Sequence, residues 1–458
     1  MSSVTQHMSM QQHCRAGALA LLALAVVVAT FPATASAFEI LTRDKEARFA
    51  HDVRTGEGWA RIRVGADRAL QELADPRCPA VTTIRISAYR ANRMQGDAPV
   101  ELSCALWRKV PGGYLYRDPS GSAAGVRSVR YSTHGLDVHA SSPGHTPVFG
   151  PLGFAQLNLN VGSQRLIARF HSFAQNDERT IVARRPSRAA ADGEAAFWDT
   201  LTDTAQRDGD ALELLGRAVR QDPRDGRSHF LLGMMHLQRF ERIDADPRDA
   251  SAAGRLELLA AKQAFDDAVP LLWDGVRGDS RVPGFASAAT YKKGVAFREP
   301  AVIARGFAEM SAAANINPLF NGFIPFGAGP IAAPDSEEYA LILHLLDDVF
   351  PTLFPECGGQ DEICFNAGLA PHNLEGTFLL FGDLYAKAGR VEDAVGYYEG
   401  AASTGMNQGW RPEFIAHALE LAANAGARAA LYGDDDPSND PPFTDLGGAG
   451  NCAYCHNR

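Results

Sequence analysis

Residues 375–405 read Glu375-Gly-Thr-Phe378-Leu-Leu-Phe381-Gly382-Asp-Leu-Tyr385-Ala-Lys-Ala-Gly-Arg-Val-Glu-Asp-Ala394-Val-Gly-Tyr-Tyr398-Glu-Gly-Ala401-Ala-Ser-Thr-Gly405. Phe378, Phe381 and Tyr385 recur three and four residues apart, the spacing of one helix face. Gly382, Ala394 and Ala401 are small where their neighbours are large, as two helices require when they nest small side chains against bulky ones. Asn373 with Glu375 supplies a helix start.

The same arrangement recurs upstream. Ala211, Leu215, Ala218 and Pro223 form the second half of a unit beginning near 192, and His229, Leu232, Gly233 and His236 the first half of one beginning near 226. The second helix of that unit resumes at Ala261, Phe265 and Ala268, after an insertion containing Asp244-Ala-Asp-Pro-Arg-Asp249. On these positions, and on the repeat length of about 34 residues, the chain from 192 to about 432 resembles the tetratricopeptide repeat superfamily. That resemblance implies a curved α-helical array whose inner surface holds a peptide or another protein, here an exported one. Between the clear units, 299–314 and 336–353 read as helices, the latter capped by Asp335 or Ser336 with Glu337 and Glu338 in its first turn. The apolar but Pro- and Gly-punctuated stretch 315–334 cannot be one helix and is expected as a buried loop. Trp410-Arg-Pro412 opens a last helix running through Leu431, a cap for the array.

Before residue 176 the period changes to two. Strands are predicted over 59–64, 82–89, 100–110, 113–116, 126–131, 136–140 and 157–170, with Gly112-Gly113 and Asp118-Pro-Ser-Gly121 as turns. Seven short strands with little helix predict a β-sandwich over 38–175. Cys78 and Cys104 flank the second strand and are expected to staple it as a disulfide. His134, His139, His145 and His171 follow loops and strand ends, without the clustering of a metal site. Residues 176–192, polar and arginine-rich, read as a linker. The fold class is therefore α+β multidomain: an N-terminal antiparallel β-sandwich, then a tetratricopeptide-like α-helical domain over 193–432.

The 458 residues are 46% apolar, enough for more than one core. Residues 1–37 have the form of a secretory signal: Arg15, an apolar run from Ala16 to Phe31, and Ala35-Ser-Ala37 before Phe38. The run is shorter than the ~20 residues of a membrane span, and no later segment reaches that length without charges. Cleavage leaves six cysteines, an even number suited to an oxidising periplasmic or extracellular compartment. Cys357 and Cys364 form the second expected disulfide. The formal net charge of −10 disfavours nucleic acid and anionic lipid as partners.

An Asp-, Gly- and Pro-rich tether begins at Gly433, and the chain ends Cys452-Ala-Tyr-Cys455-His456-Asn-Arg458. This is C-x-x-C-H, in which two thiols take haem c covalently and the adjacent imidazole binds the iron. Cys452 and Cys455 are the expected anchors and His456 the proximal ligand, with Met406, His372, His417 or Met310 as second ligand, or an open position. The motif is similar to that of cytochromes c, but no enclosing cytochrome domain follows it; cytochromes of the c-prime type carry it near their end on a helix, where this chain has a tether. A redox dithiol, a metal site shared with Cys357, Cys364 or His372, and a plain terminal disulfide compete with haem. No G-x-S-x-G elbow or phosphate-binding glycine loop commits the chain to catalysis. The expected function is single-electron transfer with a redox partner docked on the array; the alternative is a haem-free exported adaptor or assembly factor.

Overall fold

The structure is a computed structural model that describes residues 39–443, apart from 44, 91–92, 143, 202–206, 245, 276–277, 354–372, 404–411, 435, 437–438 and 442. The chain divides into two compact units between Asn317 and Pro318.

The first unit begins with two β-sheets. The eight-stranded sheet has the order β13(Phe173–Asn176), β14(Thr180–Ala183), β2(Glu46–Asp52), β3(Glu57–Val64), β10(Gly135–Ser141), β9(Val126–Ser132), β8(Gly113–Arg117), β7(Trp107–Val110). The six-stranded sheet has the order β1(Glu39–Leu41), β12(Gln164–Phe170), β11(Phe154–Val161), β4(Thr82–Arg90), β5(Arg93–Gly96), with β6(Val100–Glu101) also on β4. The pairs are antiparallel except β1 with β12. Alternation drives both sheets: β3 buries every second residue, and Phe49, Ile62, Val138 and Tyr131 of one sheet share a buried cluster with Ile84, Ile86, Leu157 and Ala168 of the other. Cys78 and Cys104 lie at disulfide distance with Cα atoms 5.0 Å apart.

Three stretches differ from the expected outline. Residues 100–110 are not one strand: a 3₁₀ turn at Cys104–Leu106 separates β6, on the six-stranded sheet, from β7, at the edge of the eight-stranded one. Residues 157–170 form two strands, because Gly162 takes φ +58° and turns the chain between β11 and β12. The stretch 176–192 is part of the first unit: β14 pairs with β2, and a helix begins at Arg188. Charged residues around Thr180-Ile-Val-Ala183 conceal a strand too short for a visible alternation.

Six helices complete this unit: α1(Arg188–Leu201), α2(Asp208–Gln221), α3(Gly226–Ile243), α4(Ala252–Leu272), α5(Val282–Ala296) and α6(Pro300–Ile316), packed as the pairs α1–α2, α3–α4 and α5–α6. Asp225 caps α3 by accepting from the Ser228 N–H, and Ser251 caps α4 by accepting from the Gly254 N–H. A Cβ on Gly233 of α3 would lie 2.9 Å from the Phe265 ring of α4, and one on Gly193 of α1 would meet Leu215 of α2 at 3.0 Å. Each glycine thus admits a bulky residue of the second helix, which a single methyl would exclude.

The second unit holds a four-residue helix Pro318–Asn321, a 3₁₀ turn Ile324–Ala328, α7(Glu337–His344) continuing to 353 through a π-helical turn, α8(Asn373–Lys387), α9(Val391–Ser403) and α10(Pro412–Tyr432). Ser336, not Asp335, caps α7 by accepting from the Tyr339 N–H. The stretch 315–334 is partly helical, and its Phe323 and Phe326 pack edge and face on Phe381 and Phe350. On α8 and α9, Phe378, Phe381, Tyr385, Ala394, Tyr398 and Ala401 are all buried. Gly382 faces Tyr398 so closely that a Cβ would lie 2.4 Å from its ring.

Candidate functional site

Cys452, Cys455 and His456 lie outside the described residues, as do Met406, His372, Cys357 and Cys364. Of the remaining ligand candidates, His417 is half-buried on α10 in the second unit, its Nδ1 3.9 Å from Glu420 Oε2. Met310 is buried on α6 in the first. Among the described residues no group of three or more His, Cys, Asp or Glu side chains could hold a metal ion. The four histidines of the sheet region part ways: His145 Nδ1 is 2.8 Å from Asp97, His171 is buried, and His134 and His139 are exposed.

The two sheets treat their outer faces differently. On the six-stranded sheet Ser87, Gln156 and Arg169 point outward yet are buried, as is His171 just after β12, and Arg281, just before α5, stacks 4.2 Å over the Phe154 ring. Among the described residues the outer face of the eight-stranded sheet is exposed at Arg48, Arg61, Arg63, Arg130 and His139. There β2, β3, β9 and β10 line a hollow of about 830 Å³ that includes Arg48, Trp59, Arg61, Arg63, Arg130 and His139. A neighbouring hollow of about 360 Å³ shares Glu46, Arg63, Arg130 and Asp137 with it, so the two form one trough.

The register arranges these side chains in rows. One runs Glu46, Arg63, Asp137, Arg130 across β2, β3, β10 and β9. Charges alternate along it, and Asp137 Oδ2 lies 3.1 Å from Arg63 Nε and 3.6 Å from Arg61. The next row runs Arg48, Arg61, His139, Ser128, Arg117 and contains no acid. Arg48 sits directly opposite Arg61, a like-charge pair that costs stability. Beyond it lies Trp59, between Ala50 and Ser141. A bulge between His139 and Ala140 locally alters the pairing at this point of the sheet.

Partial desolvation against the sheet and the Arg61 guanidinium both disfavour a charged His139 imidazole and hold its pKa below the ordinary histidine value, with Arg127 and His145 adding to this and Asp137 opposing it. The expected NMR titration midpoint of His139 is therefore below that of a histidine in an unstructured peptide. Arg61→Gln raises it; a midpoint unmoved by that change refutes the coupling.

A second ionic cluster is buried between the sheets and helices of this unit. Lys45 Nζ lies 2.8 Å and Arg227 3.0 Å from the Glu194 carboxylate, all three largely shielded from solvent. Arg281 forms a two-pronged pair with Asp279 at 2.6 and 2.7 Å. His171 Nδ1 stands 3.8 Å from Asp279, too far for a hydrogen bond, and burial with Arg227 and Arg281 nearby depresses its pKa well below the ordinary value.

Neither cluster is visible in the sequence, because partners such as Lys45 and Glu194, or Arg48 and His139, meet only through tertiary pairing. The available signal was the period of two: the charged residues of β2, β3 and β10 fall on alternate positions. No known protein family, curated protein or solved structure matches the chain.

Proposed function

We propose that the chain is an exported c-type haem protein that exchanges single electrons with a protein partner docked on its helical pairs. The observation that carries this reading is Cys452-Ala-Tyr-Cys455-His456 behind an export signal. Its donor set fits the group: Cys452 and Cys455 would hold haem c through thioethers and His456 would bind its iron, which supplies one-electron chemistry. The docking half of the reading is supported by Gly193 against Leu215, Gly233 against Phe265 and Gly382 against Tyr398, the small-against-large nesting of a tetratricopeptide-like array. The shared cluster of both sheets supports a β-sandwich in front of it.

Protein exported from a host with haem-attachment machinery is expected to be red, with a Soret band and added mass that survive denaturation, both lost in Cys452→Ser/Cys455→Ser. Colourless protein of unmodified mass, with its signal removed, overturns the haem reading. The second reading, a haem-free exported adaptor, is favoured by the open arginine-lined trough and the helical pairs, which offer binding surfaces independent of the terminal motif.

A further inference from the structure

We propose that the outer face of the eight-stranded sheet binds a carboxylate-bearing polysaccharide, a polyuronate, with a sugar ring against Trp59 and a carboxylate across Arg48 and Arg61. The proposal concerns a different surface from the terminal motif and stands or falls separately from the haem reading.

Charge comes first. The row holding Arg48, Arg61, His139 and Arg117 has no acid of its own, and the next row spends its single central carboxylate, Asp137, on Arg61 and Arg63 together. Neighbouring strands lie about 4.8 Å apart, so the Arg48 and Arg61 side chains leave the same face of the sheet one strand spacing apart, and an anion lying between them relieves their repulsion. Guanidinium forks match a planar carboxylate in two-point hydrogen bonds. Shape comes second. The trough is open and extends past Arg130 to His134 and Arg185, which suits an extended chain better than a small enclosed molecule.

The remaining lining selects the class of polyanion. Trp59 is the half-buried aromatic side chain lining the larger hollow, the amphipathic surface on which the apolar face of a sugar ring stacks. Ser128, Ser141, Glu46 and Asp137 can hydrogen-bond hydroxyls. The two acids repel a ligand dense in sulfate or phosphate, but tolerate one carboxylate per ring beside neutral hydroxyls.

The test is affinity measured on the full exported chain with polygalacturonate, heparin and neutral dextran at two ionic strengths. Polygalacturonate is expected to bind, more weakly as salt rises, and dextran not to bind. Arg48→Gln and Arg61→Gln should each lose at least tenfold in affinity with an unchanged far-ultraviolet spectrum. Trp59→Ala should lose a similar factor and Trp59→Phe recover most of it, whereas Arg54→Gln, off this face, should change nothing. Absence of polygalacturonate binding, binding that ignores Arg48 and Arg61, or heparin binding as tightly with no dependence on Trp59 each overturns the proposal.

Discussion

Glu194→Gln is expected to destabilise the first unit by about 3–5 kcal/mol, the cost of breaking a buried ion pair by removing one partner. Glu194 is 5% exposed and accepts from both Lys45 at 2.8 Å and Arg227 at 3.0 Å. Its loss strands two cations out of water, while the amide that replaces it can satisfy neither as a charge. For a unit of this size the melting temperature should fall by roughly 10 °C. The comparison is Glu213→Gln, which removes a pair with Arg217 whose side chains are 69% and 49% exposed and should cost no more than about 0.5 kcal/mol. Hydrogen exchange at the amides of α1 reports the loss locally. Equal effects of the two changes would refute the claim that the Glu194 cluster is dry.

The same cluster sets the response to acid. Burial alone would raise the Glu194 pKa, but Lys45 and Arg227 override it and hold the carboxyl at about 2. Because the folded value lies below the ordinary 4.5, this group's contribution is complete above 4.5 and is lost as pH falls from there towards 2. His171 acts earlier with the same sign. It is neutral when folded, so the unfolded chain binds the extra proton and gains as pH drops below 6.5. Acid unfolding of the first unit should thus begin near the histidine range and steepen in the carboxylate range.

What the sequence made legible followed from local periodicity. Period two placed β3 and β10 to within a few residues because one residue in two is buried there, and turn residues helped bound β4, β8 and β9. The spacing of Phe378, Phe381, Tyr385, Ala394, Tyr398 and Ala401 placed α8 and α9 because helix pairs bury one stripe. Local pattern carries no register, however. Arg48 and Arg61 read as ordinary solvated charges until β2 and β3 pair, and Lys45 reads as a surface lysine until α1 and α3 bring Glu194 and Arg227 to it. The turn at Gly162 escaped because polar and apolar residues alternate through Val161 and the apolar run Leu166-Ile-Ala168 follows closely, so Gly162-Ser163, with the positive φ of Gly162, is the single break between the arms.

Gly382→Ala is expected to weaken the α8–α9 pair, although alanine in place of glycine ordinarily strengthens a helix by about 1 kcal/mol. The added methyl would stand 2.4 Å from Cε1 of Tyr398, closer than real Cβ contacts allow. The ring cannot swing aside cheaply. Tyr398 is fully buried, its hydroxyl donates to Asp383, and Asp383, also fully buried, accepts from Arg428 at 2.7 Å. Moving the ring breaks that chain and leaves a buried carboxylate poorly satisfied. Overpacking of this kind costs about 1–3 kcal/mol and exceeds the gain in propensity; Gly382→Val, larger and β-branched, should cost more. Gly376, on the same helix with nothing within 4 Å of its Cβ position, provides the contrast, and Gly376→Ala should stabilise by roughly 0.5 kcal/mol. Hydrogen-exchange protection of 376–403, read in the full chain, separates the two, because the effects have opposite sign. If both glycines respond alike to alanine, propensity governs the helix, and the nesting of Gly382 against Tyr398 is not what holds the pair together.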